Sequence, residues 1–417
     1  MITPSYGITA TERVLPKLAL DFTTASLDAR VTFTRALDTA TVTNSSGYVV
    51  PINANLPRFD YNPITLACKG LLIEESRANL LAYSTTFSNA NWTKSDSSVA
   101  TNVIIAPDSA TSSFTFSEAA TTASHYIGAP STSSLTSGTS YTTTVYAKAG
   151  TVGVIQLAYS STYFGANAYA NYDLTNGVLG TVGSASTATI IAVGNSWYRI
   201  SLTAPATLSG TTGPFIVFCN NSATAARFPS YAGNTNSSIY IWGAQLEAGA
   251  FATSYIPTAG SSLTRNADVA TMTGTNFSDW YNATEGSLAC WFNSLIPSGT
   301  VKGIISVGSV PNNYIDIRTG STLTSVMVNN GAQQTGLGTI AYAAGTNYKF
   351  VTAYKANNCV AASNATLSSV DTVATIPTCD TLYIGSTIAL IPSSGHFQKI
   401  LYWPQRLTNN EVQAFSK

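Results

Sequence analysis

The chain has 417 residues, a length that suits two or three domains better than one core. Hydrophobic residues make up 45% and aromatic residues 11%, so the chain can bury cores and is not intrinsically disordered. Charged residues make up only 9%, against about 25% in an average soluble protein. The formal net charge is zero and no Lys/Arg run exceeds a pair, which excludes an electrostatic footprint for nucleic acid or an anionic membrane.

The first residues, Met1-Ile-Thr-Pro-Ser-Tyr, contain neither a charged nor an apolar region, so we expect no secretory signal. No apolar run approaches the roughly 18 residues of a membrane span, so we expect no membrane insertion. The five cysteines are widely scattered, which predicts small buried side chains and no zinc site. The sequence leaves open whether Cys359 and Cys379 form a disulfide bridge.

Residues 1–70 read as an irregular leader with short strands. The alternation in Val31-Thr-Phe-Thr predicts a strand, and Asn44-Ser-Ser-Gly predicts a hairpin turn. Three prolines between residues 51 and 63 favour extended or turn conformations.

Residues 71–258 contain short strands with turn signals at intervals of roughly 8–15 residues, as sandwiches and jelly rolls require. A junction is expected near Ala259-Gly-Ser-Ser, followed by a second strand series that ends near Trp403. Thr408, with Glu411 three positions later, forms a capping-box pattern that predicts a helix. The sequence therefore predicts an all-β chain with a short C-terminal helix.

Three segments carry a resemblance to modular proteins of bacteriophage particles. They are Leu20-Asp-Phe-Thr-Thr to Gly70-Leu-Leu-Ile-Glu-Glu-Ser-Arg-Ala-Asn-Leu-Leu, Asn79-Leu-Leu-Ala-Tyr-Ser to Ser254-Tyr-Ile-Pro-Thr, and Gly395-His-Phe to Leu401-Tyr-Trp-Pro-Gln-Arg-Leu-Thr-Asn-Asn-Glu-Val-Gln-Ala-Phe. The first resembles the leader of phage tail and appendage proteins. The second resembles a jelly-roll carbohydrate-binding module, and the third resembles a concanavalin A-like or laminin G-like sandwich.

This resemblance implies three parts: a virion-attachment leader over 1–70, a jelly-roll β-sandwich over 71–258 and a concanavalin A-like β-sandwich over 259–417. It also implies a virion protein that is made in the bacterial cytoplasm and exposed on the particle. A homo-oligomer is expected, with a trimer favoured. Because both folds host many functions, the step from fold to function rests on analogy.

We expect no enzymatic activity. Concanavalin A-like glycoside hydrolases carry Glu-x-Asp-x-x-Glu on one strand, which places a nucleophile and an acid/base on one face. After Gly260 no two carboxylates lie two or three residues apart, and no Gly-x-Ser-x-Gly motif occurs. The only histidines are His125 and His396, and a structural role is favoured for His396.

A structural Ca²⁺ is the cofactor that the resemblance suggests, since jelly-roll carbohydrate modules often hold one between the first and last strands. Glu75 and Glu247 occupy the corresponding positions, although the Asp-rich cluster expected around such a site is missing. Glu74 and Glu75 are neighbours whose side chains point to opposite faces of a strand, so we expect one of them to pair with Arg77.

Aromatic residues carry the sugar-binding hypothesis, because the apolar faces of sugars stack on aromatic rings while amides bind hydroxyls. The predicted contacts, if residues 156–159 and 168–172 form neighbouring strands, are Tyr159, Tyr163, Tyr169 and Asn171. The alternative is that half of these side chains are ordinary core. Among the tryptophans, Trp197, Trp242 and Trp291 are expected in the core, whereas Trp92 and Trp280 lie near turns and are freer to be exposed.

Four leader residues are candidates for charge-assisted contacts to other virion proteins, with exposed loop pairing as the alternative: Arg30, Arg35, Arg58 and Asp60. Three functional hypotheses follow. The first is a phage appendage or fibre that binds host-surface polysaccharide, and the second is a purely structural decoration or neck component. The third, a glycan depolymerase, is disfavoured because no β-helix repeat is visible.

Overall fold

The structure is a computed structural model that describes residues 15–101, 104–129, 134–309, 312–388 and 392–417. Strands account for 48% of it and helices for 5%, which confirms the all-β prediction. The chain forms two compact units. The first comprises Thr34–Asp268, and the second comprises Val269–Lys417 with the described part of Met1–Phe33. No helix in the described ranges is both long and apolar enough to span a membrane.

The described part of the chain begins with two short strands, β1 (Leu18–Asp21) and β2 (Thr32–Thr34), and a 3-10 turn at Phe22–Thr24 between them. The Thr34–Asp268 unit then contains one short helix and these strands: β3 (Ala40–Thr43), β4 (Val49–Ile52), β5 (Arg58–Tyr61), β6 (Cys68–Ile73), β7 (Arg77–Asn79), β8 (Thr93–Ser95), β9 (Ser97–Thr101), β10 (Phe114–Glu118), β11 (Thr122–Ala123), β12 (Tyr126–Gly128), β13 (Ser134–Leu135), β14 (Ser140–Ala149), β15 (Val154–Ala158), α1 (Ser161–Phe164), β16 (Tyr169–Asp173), β17 (Val178–Val182), β18 (Thr187–Ala192), β19 (Tyr198–Pro205), β20 (Gly210–Thr211), β21 (Phe215–Phe218), β22 (Tyr231–Ala232), β23 (Ser238–Ala248) and β24 (Leu263–Arg265).

The second unit continues with these elements: β25 (Val269–Thr273), α2 (Thr275–Ser278), β26 (Glu285–Ser294), β27 (Gly303–Ser309), β28 (Asn313–Arg318), β29 (Thr322–Asn329), β30 (Ala332–Ala341), β31 (Asn347–Lys355), β32 (Val360–Ser363), β33 (Thr366–Leu367), β34 (Thr381–Ile384), β35 (Gly395–Trp403) and α3 (Asn409–Phe415).

The Thr34–Asp268 unit is a jelly roll. Its two six-stranded sheets have the orders β18-β19-β14-β23-β10-β9 and β17-β16-β15-β21-β12-β8. Eight strands form nested antiparallel pairs, in which β10 pairs with β23, β12 with β21, β14 with β19 and β15 with β16. This nesting is the double Greek key of a jelly roll, which places strands distant in sequence side by side.

The core of the jelly roll follows the two-residue period of its strands. Ile155 and Leu157 of β15 point inward and pack with Ile200 and Leu202 of the facing sheet. All four are buried completely. Burial of such apolar side chains is the main force that holds the sheets together.

The second unit is also a sandwich of antiparallel sheets. One sheet has the order β33-β32-β31-β26-β35, with β1 on β35, and the other contains β25-β34-β27-β28-β29-β30. The hydroxyl of Ser325 on β29 donates a hydrogen bond of 2.9 Å to Thr352 on β31 and so bridges the two sheets. Helix α3 covers part of this unit, where the rings of Trp403 and Phe415 lie 4.6 Å apart.

The predicted capping box of α3 is confirmed. Thr408 accepts a hydrogen bond from the Glu411 amide, and the Glu411 carboxylate accepts one of 2.7 Å from the Thr408 amide. The hairpin turn at Asn44 is confirmed as well, since β3 pairs with β4 and the Asn44 side chain accepts from the amides of Ser46 and Tyr48.

The predicted leader over 1–70 is divided differently in the structure. Residues 15–33 belong with the C-terminal unit, where Leu18 pairs with Tyr402, and residues 34–70 belong with the jelly roll. The first 14 residues lie outside the described ranges. The junction falls after Asp268 rather than near Ala259, because β24 pairs with β7 inside the jelly-roll unit.

Candidate functional site

The outer face of the sheet that contains β15 is where the sequence placed its sugar contacts. Directly opposite residues share a face of a sheet, and Gln156 lies opposite Asn171, while Ala158 lies opposite both Tyr169 and Phe215. The strand pair predicted from residues 156–172 is therefore confirmed. These side chains alternate with core residues and point away from the core.

A loop covers much of this face. Residues 219–230, here called the strap, connect β21 to β22. Asn171 holds the strap by donating from its side-chain amide to the carbonyls of Ala225, at 2.7 Å, and Ala223, at 3.2 Å. The Ala223 carbonyl also accepts from the Thr181 amide at 2.8 Å, which ties the strap to β17.

Gln156 is the second anchor of the strap. Its amide nitrogen donates to the Ala226 carbonyl at 3.1 Å and to Asn171 at 2.7 Å, and its amide oxygen accepts from the Phe228 backbone at 3.0 Å. Gln156 and Asn171 are both completely buried. The prediction that Asn171 binds a sugar is thus corrected: its hydrogen-bonding groups bind the chain's own backbone.

Three aromatic rings, one of them on the strap, form a group that we name the aromatic wall: Tyr126, Phe215 and Phe228. Their ring centroids lie 5.1–5.6 Å apart with steep interplanar angles of 75–83°. All three are only partly buried. Phe215 lies so close over Gly128 that a Cβ there would meet the ring at 2.9 Å. The wall therefore presents ring surface to the outside of the sandwich.

Phe228 adopts a backbone conformation that bulky residues rarely take, with φ of 50°. The left-handed region costs a residue with a side chain roughly 1–2 kcal/mol. Two hydrogen bonds hold it there, one from its amide to Gln156 and one of 2.9 Å from the Ser124 hydroxyl to its carbonyl. Such strain is concentrated at functional sites.

Arg227 lies against the aromatic wall. Its guanidinium carbon sits 4.6 Å from the centroid of the Phe228 ring, and Nη2 donates to the Tyr159 carbonyl at 2.6 Å. Burial lowers the pKa of this guanidinium. On the other side of Ala158 stands Tyr169, which shares the face with Phe215. Two strand spacings separate Phe215 from Tyr169, about 10 Å.

The other predicted sugar contacts lie elsewhere. Tyr159 is completely buried, stacks on Phe164 at 4.2 Å and donates its hydroxyl to the carbonyls of Tyr141 and Leu202, each at 3.1 Å. Burial raises the pKa of its phenol well above the ordinary value. The prediction for Tyr159 is corrected, because a core ring cannot stack on a ligand. Tyr163 is half-buried in α1 and packs against Gly210.

The tryptophans partly follow the prediction. Trp197 and Trp242 are buried as expected, whereas Trp291 is only partly buried. Trp92 and Trp280, expected near the surface, are buried at 1% exposure. Each satisfies its indole N–H locally and so tolerates burial beside a turn: Trp92 donates to the Tyr83 carbonyl at 3.1 Å and Trp280 to the Asn276 carbonyl at 2.8 Å.

The predicted Ca²⁺ ligands have other partners. Glu75 pairs with Arg77 at 2.5 Å, as expected from the sequence, and Glu247 accepts from the amide of Thr253 at 3.0 Å and from its hydroxyl. Within the described ranges no group of three or more His, Cys, Asp or Glu side chains could hold a metal ion. Cys359 and Cys379 are free thiols.

Two of the predicted attachment residues belong to the interior of the jelly-roll unit. They join what we call the buried ion-pair cluster: Arg35, Arg58, Glu74, Arg265 and Asp268. Arg35 contacts Asp268 at 3.0 Å, and the Asp268 carboxylate also accepts from Arg58. Glu74 contacts Arg58 at 2.6 Å and Arg265 at 3.1 Å. Burial by itself would raise the pKa of Glu74, but the guanidinium groups of Arg265 and Arg58 lower it well below its ordinary value.

The interior position of Arg35 and Arg58 corrects the prediction that they contact another virion protein, since neither side chain reaches the surface. Asp60 is mostly buried and pairs with Lys69 at 2.7 Å. Arg30 remains partly exposed, paired with Asp28 at 2.7 Å. Sequence reasoning missed the partners Arg265 and Asp268, which lie about two hundred residues away along the chain and carry no local pattern.

Comparison with known proteins gives weak likenesses only. No protein-family model matches the chain, and no curated protein matches it. The carbohydrate-binding module CBM40 of the Ruminococcus gnavus IT-sialidase, bound to α2,3-sialyllactose, is 11% identical, with a TM-score of 0.29 over 33% of this chain and 84% of the module.

Two further solved structures are similarly distant. The K499G mutant of the NanB sialidase from Streptococcus pneumoniae is 12% identical, with a TM-score of 0.31 over 35% of this chain, which spans only 26% of that sialidase. A structure described under cell entry of botulinum neurotoxin type C, dependent on two ganglioside molecules, is 10% identical, with a TM-score of 0.30 over 36% of this chain and 39% of that one. Likenesses of this size identify neither a family nor a ligand.

Proposed function

We propose that the chain is a glycan-binding protein whose jelly-roll unit binds sugar at the aromatic wall. The observation that carries this proposal is a group of three partly exposed rings beside Arg227, one of them held in a strained backbone conformation. Sugar rings present apolar C–H faces that stack on aromatic rings, and Arg227 supplies hydrogen-bond donors at the edge. Tyr169 extends the same face and is retained from the sequence prediction.

We also propose a setting for this activity: a bacteriophage virion appendage that binds host-surface polysaccharide without cleaving it. The resemblance of residues 20–81 and 245–247 to phage proteins supports it, together with a low charge content. Other virion proteins and further copies of the chain, arranged as a trimer, are the proposed partners. Arg30 and the surface around it are the part of the predicted attachment set that stays available for such contacts.

A purely structural virion component is the second candidate. It is favoured because Gln156 and Asn171, the amides best placed to bind sugar hydroxyls, already donate hydrogen bonds to the carbonyls of the strap. On this alternative the aromatic wall would contact another protein, since partly exposed aromatic rings are also common at protein interfaces.

A glycan array of bacterial surface polysaccharides, followed by calorimetry, separates the candidates. We expect Phe228→Ala to weaken binding about threefold to tenfold, since loss of one stacked ring costs about 0.5–1.5 kcal/mol. Tyr163→Ala, an aromatic residue outside the wall, is the matched control and should bind like the parent. If Tyr163→Ala lost binding and Phe228→Ala did not, the glycan would bind outside the aromatic wall. Absence of any glycan hit would favour the structural candidate.

A further inference from the structure

Arg227 carries a charge that no carboxylate of the described residues balances. Elsewhere in the chain Arg30, Arg58 and Arg77 each lie within 3 Å of a carboxylate oxygen. Arg199 also has no carboxylate partner among the described residues, but it stacks on Tyr146, a ring that is buried. Arg227 differs because it stacks on Phe228, which is partly exposed.

The guanidinium of Arg227 is held in a fixed position. The hydrogen bond of 2.6 Å from Nη2 to the Tyr159 carbonyl fixes one edge, and the ring of Phe228 supports its face. Nη1 makes no hydrogen bond to any described residue. A planar guanidinium that is already positioned loses little conformational entropy when its remaining donors bind an anion.

The side chains around Arg227 on this face are neutral. They are Tyr126, Phe215, Gln156, Ala158, Tyr169 and Asn171. Asp96 follows Ser95, the residue opposite Tyr126, and its carboxylate accepts from the Thr121 hydroxyl at 3.0 Å. Asp173 lies four residues along β16 from Tyr169, about 13 Å away. Its carboxylate accepts from the amides of Thr175 and Asn176, which occupies it locally. Neither of these carboxylates forms an ion pair with Arg227, so among the described residues its positive charge is left for an anion beside the aromatic wall.

We propose that the aromatic wall selects sugars that carry a carboxylate, such as uronic or sialic acids, and that Arg227 binds this group. The sugar ring would stack on the wall while its carboxylate accepts from Nη1. Bonds between a guanidinium and a carboxylate are shorter and stronger than those to neutral hydroxyls, so charge would decide the preference. This inference rests on the proposed function and names its ligand class.

Matched pairs of saccharides test it by calorimetry on the full chain. The probes are a hyaluronan tetrasaccharide against its carboxyl-reduced form, and sialyllactose against lactose. We expect the acidic member of at least one pair to bind roughly tenfold more tightly or better, and the preference to fall as salt is raised. The two pairs distinguish a uronic acid from a sialic acid as the source of the carboxylate.

Arg227→Gln should abolish the preference for the acidic member of each pair, whatever its effect on the affinity for the neutral member. Arg227→Lys keeps the charge and should retain part of the preference. This variant distinguishes loss of the charge from displacement of the strap as the reason why the preference is lost. Arg30→Gln, on a partly exposed arginine of the other unit, is the control and should leave the preference intact. The inference would be overturned if the parent bound both members of each pair equally, or if the preference survived Arg227→Gln. Either result would leave the proposed glycan binding intact. Absence of binding to every probe by a chain that binds a neutral glycan on the array would overturn the inference alone, whereas absence of any hit on the array as well would overturn the proposed function too.

Discussion

Asp268→Asn is expected to destabilise the jelly-roll unit strongly. Asp268 accepts hydrogen bonds from Arg35 at 3.0 Å, from Arg58, and from the Glu74 backbone at 2.9 Å, and its side chain is completely buried. The buried ion-pair cluster holds three arginines and two carboxylates, so the substitution leaves three guanidinium groups against one carboxylate. An asparagine has the same shape but neither the charge nor the full acceptor capacity.

The expected loss is about 3–5 kcal/mol, the cost of removing one partner from a buried ion pair. In a domain of roughly 150–250 residues this lowers the melting temperature by about 10 °C. Urea unfolding measures the free energy, and hydrogen exchange assigns the transition to the jelly-roll unit. Asp28→Asn, which breaks the partly exposed pair with Arg30, is the control and should cost less than about 1 kcal/mol.

A double-mutant cycle adds a second criterion. Arg58→Met combined with Asp268→Asn should be about 1–3 kcal/mol more stable than the two single losses predict together, because the two side chains belong to one network. A loss below about 1 kcal/mol for Asp268→Asn would refute the reasoning.

Three further predictions concern other parts of the chain. Burial raises the pKa of Asp316 to about 6. The protonated carboxyl is therefore favoured in the folded state, and this contribution to stability falls by about 3 kcal/mol as the pH rises from about 4 to 7. Thermal unfolding at both pH values should show a smaller difference for Asp316→Asn than for the parent, and an equal difference would contradict this. Asn171→Leu leaves the Ala225 carbonyl without its donor and removes one of the two donors to the Ala223 carbonyl, so it should cost about 1–3 kcal/mol. Hydrogen exchange should quicken in the strap and stay slow in β14, and unchanged exchange in the strap would count against its anchoring. Thr408→Ala removes the N-cap of α3 and should lower the free energy of unfolding by about 1 kcal/mol, as measured by thermal unfolding. Asn410→Ala, at an exposed position of the same helix, should change this free energy little. Equal effects of the two substitutions would argue against the cap.

Much of the local structure was predictable from sequence. The hairpin turn at Asn44 and the capping box of α3 were predicted and then found. The pairing of residues 156–159 with 168–172, which was the condition for the predicted sugar contacts, is met by the strands at 154–158 and 169–173. These features depend on the two-residue period of strands, on turn residues and on cap residues, all of which act within a few positions. The all-β class follows from the same signals repeated along the chain.

The candidate site was predicted only in part, since the sequence located the strands but not what covers them. Alternation places Asn171 on the outer face of its sheet, and outward residues of a half-buried sheet are normally exposed. The strap that buries Asn171 comes from residues 54 positions further on and has no regular pattern. Phe228, the strained member of the aromatic wall, was missed for the same reason.

By itself, the sequence determined the β class, the turns, the terminal helix and the strands that carry the site, because short-range sterics and hydrogen bonding act between neighbours. The tertiary structure decided which aromatic side chains face outward, where the units divide and which charges are buried. Tyr159 became core because its hydroxyl finds two carbonyls inside the sandwich, and Arg58 became interior because carboxylates 16 and 210 residues away converge on it. Such pairings depend on the jelly-roll topology, which brings distant strands together and which no local pattern encodes.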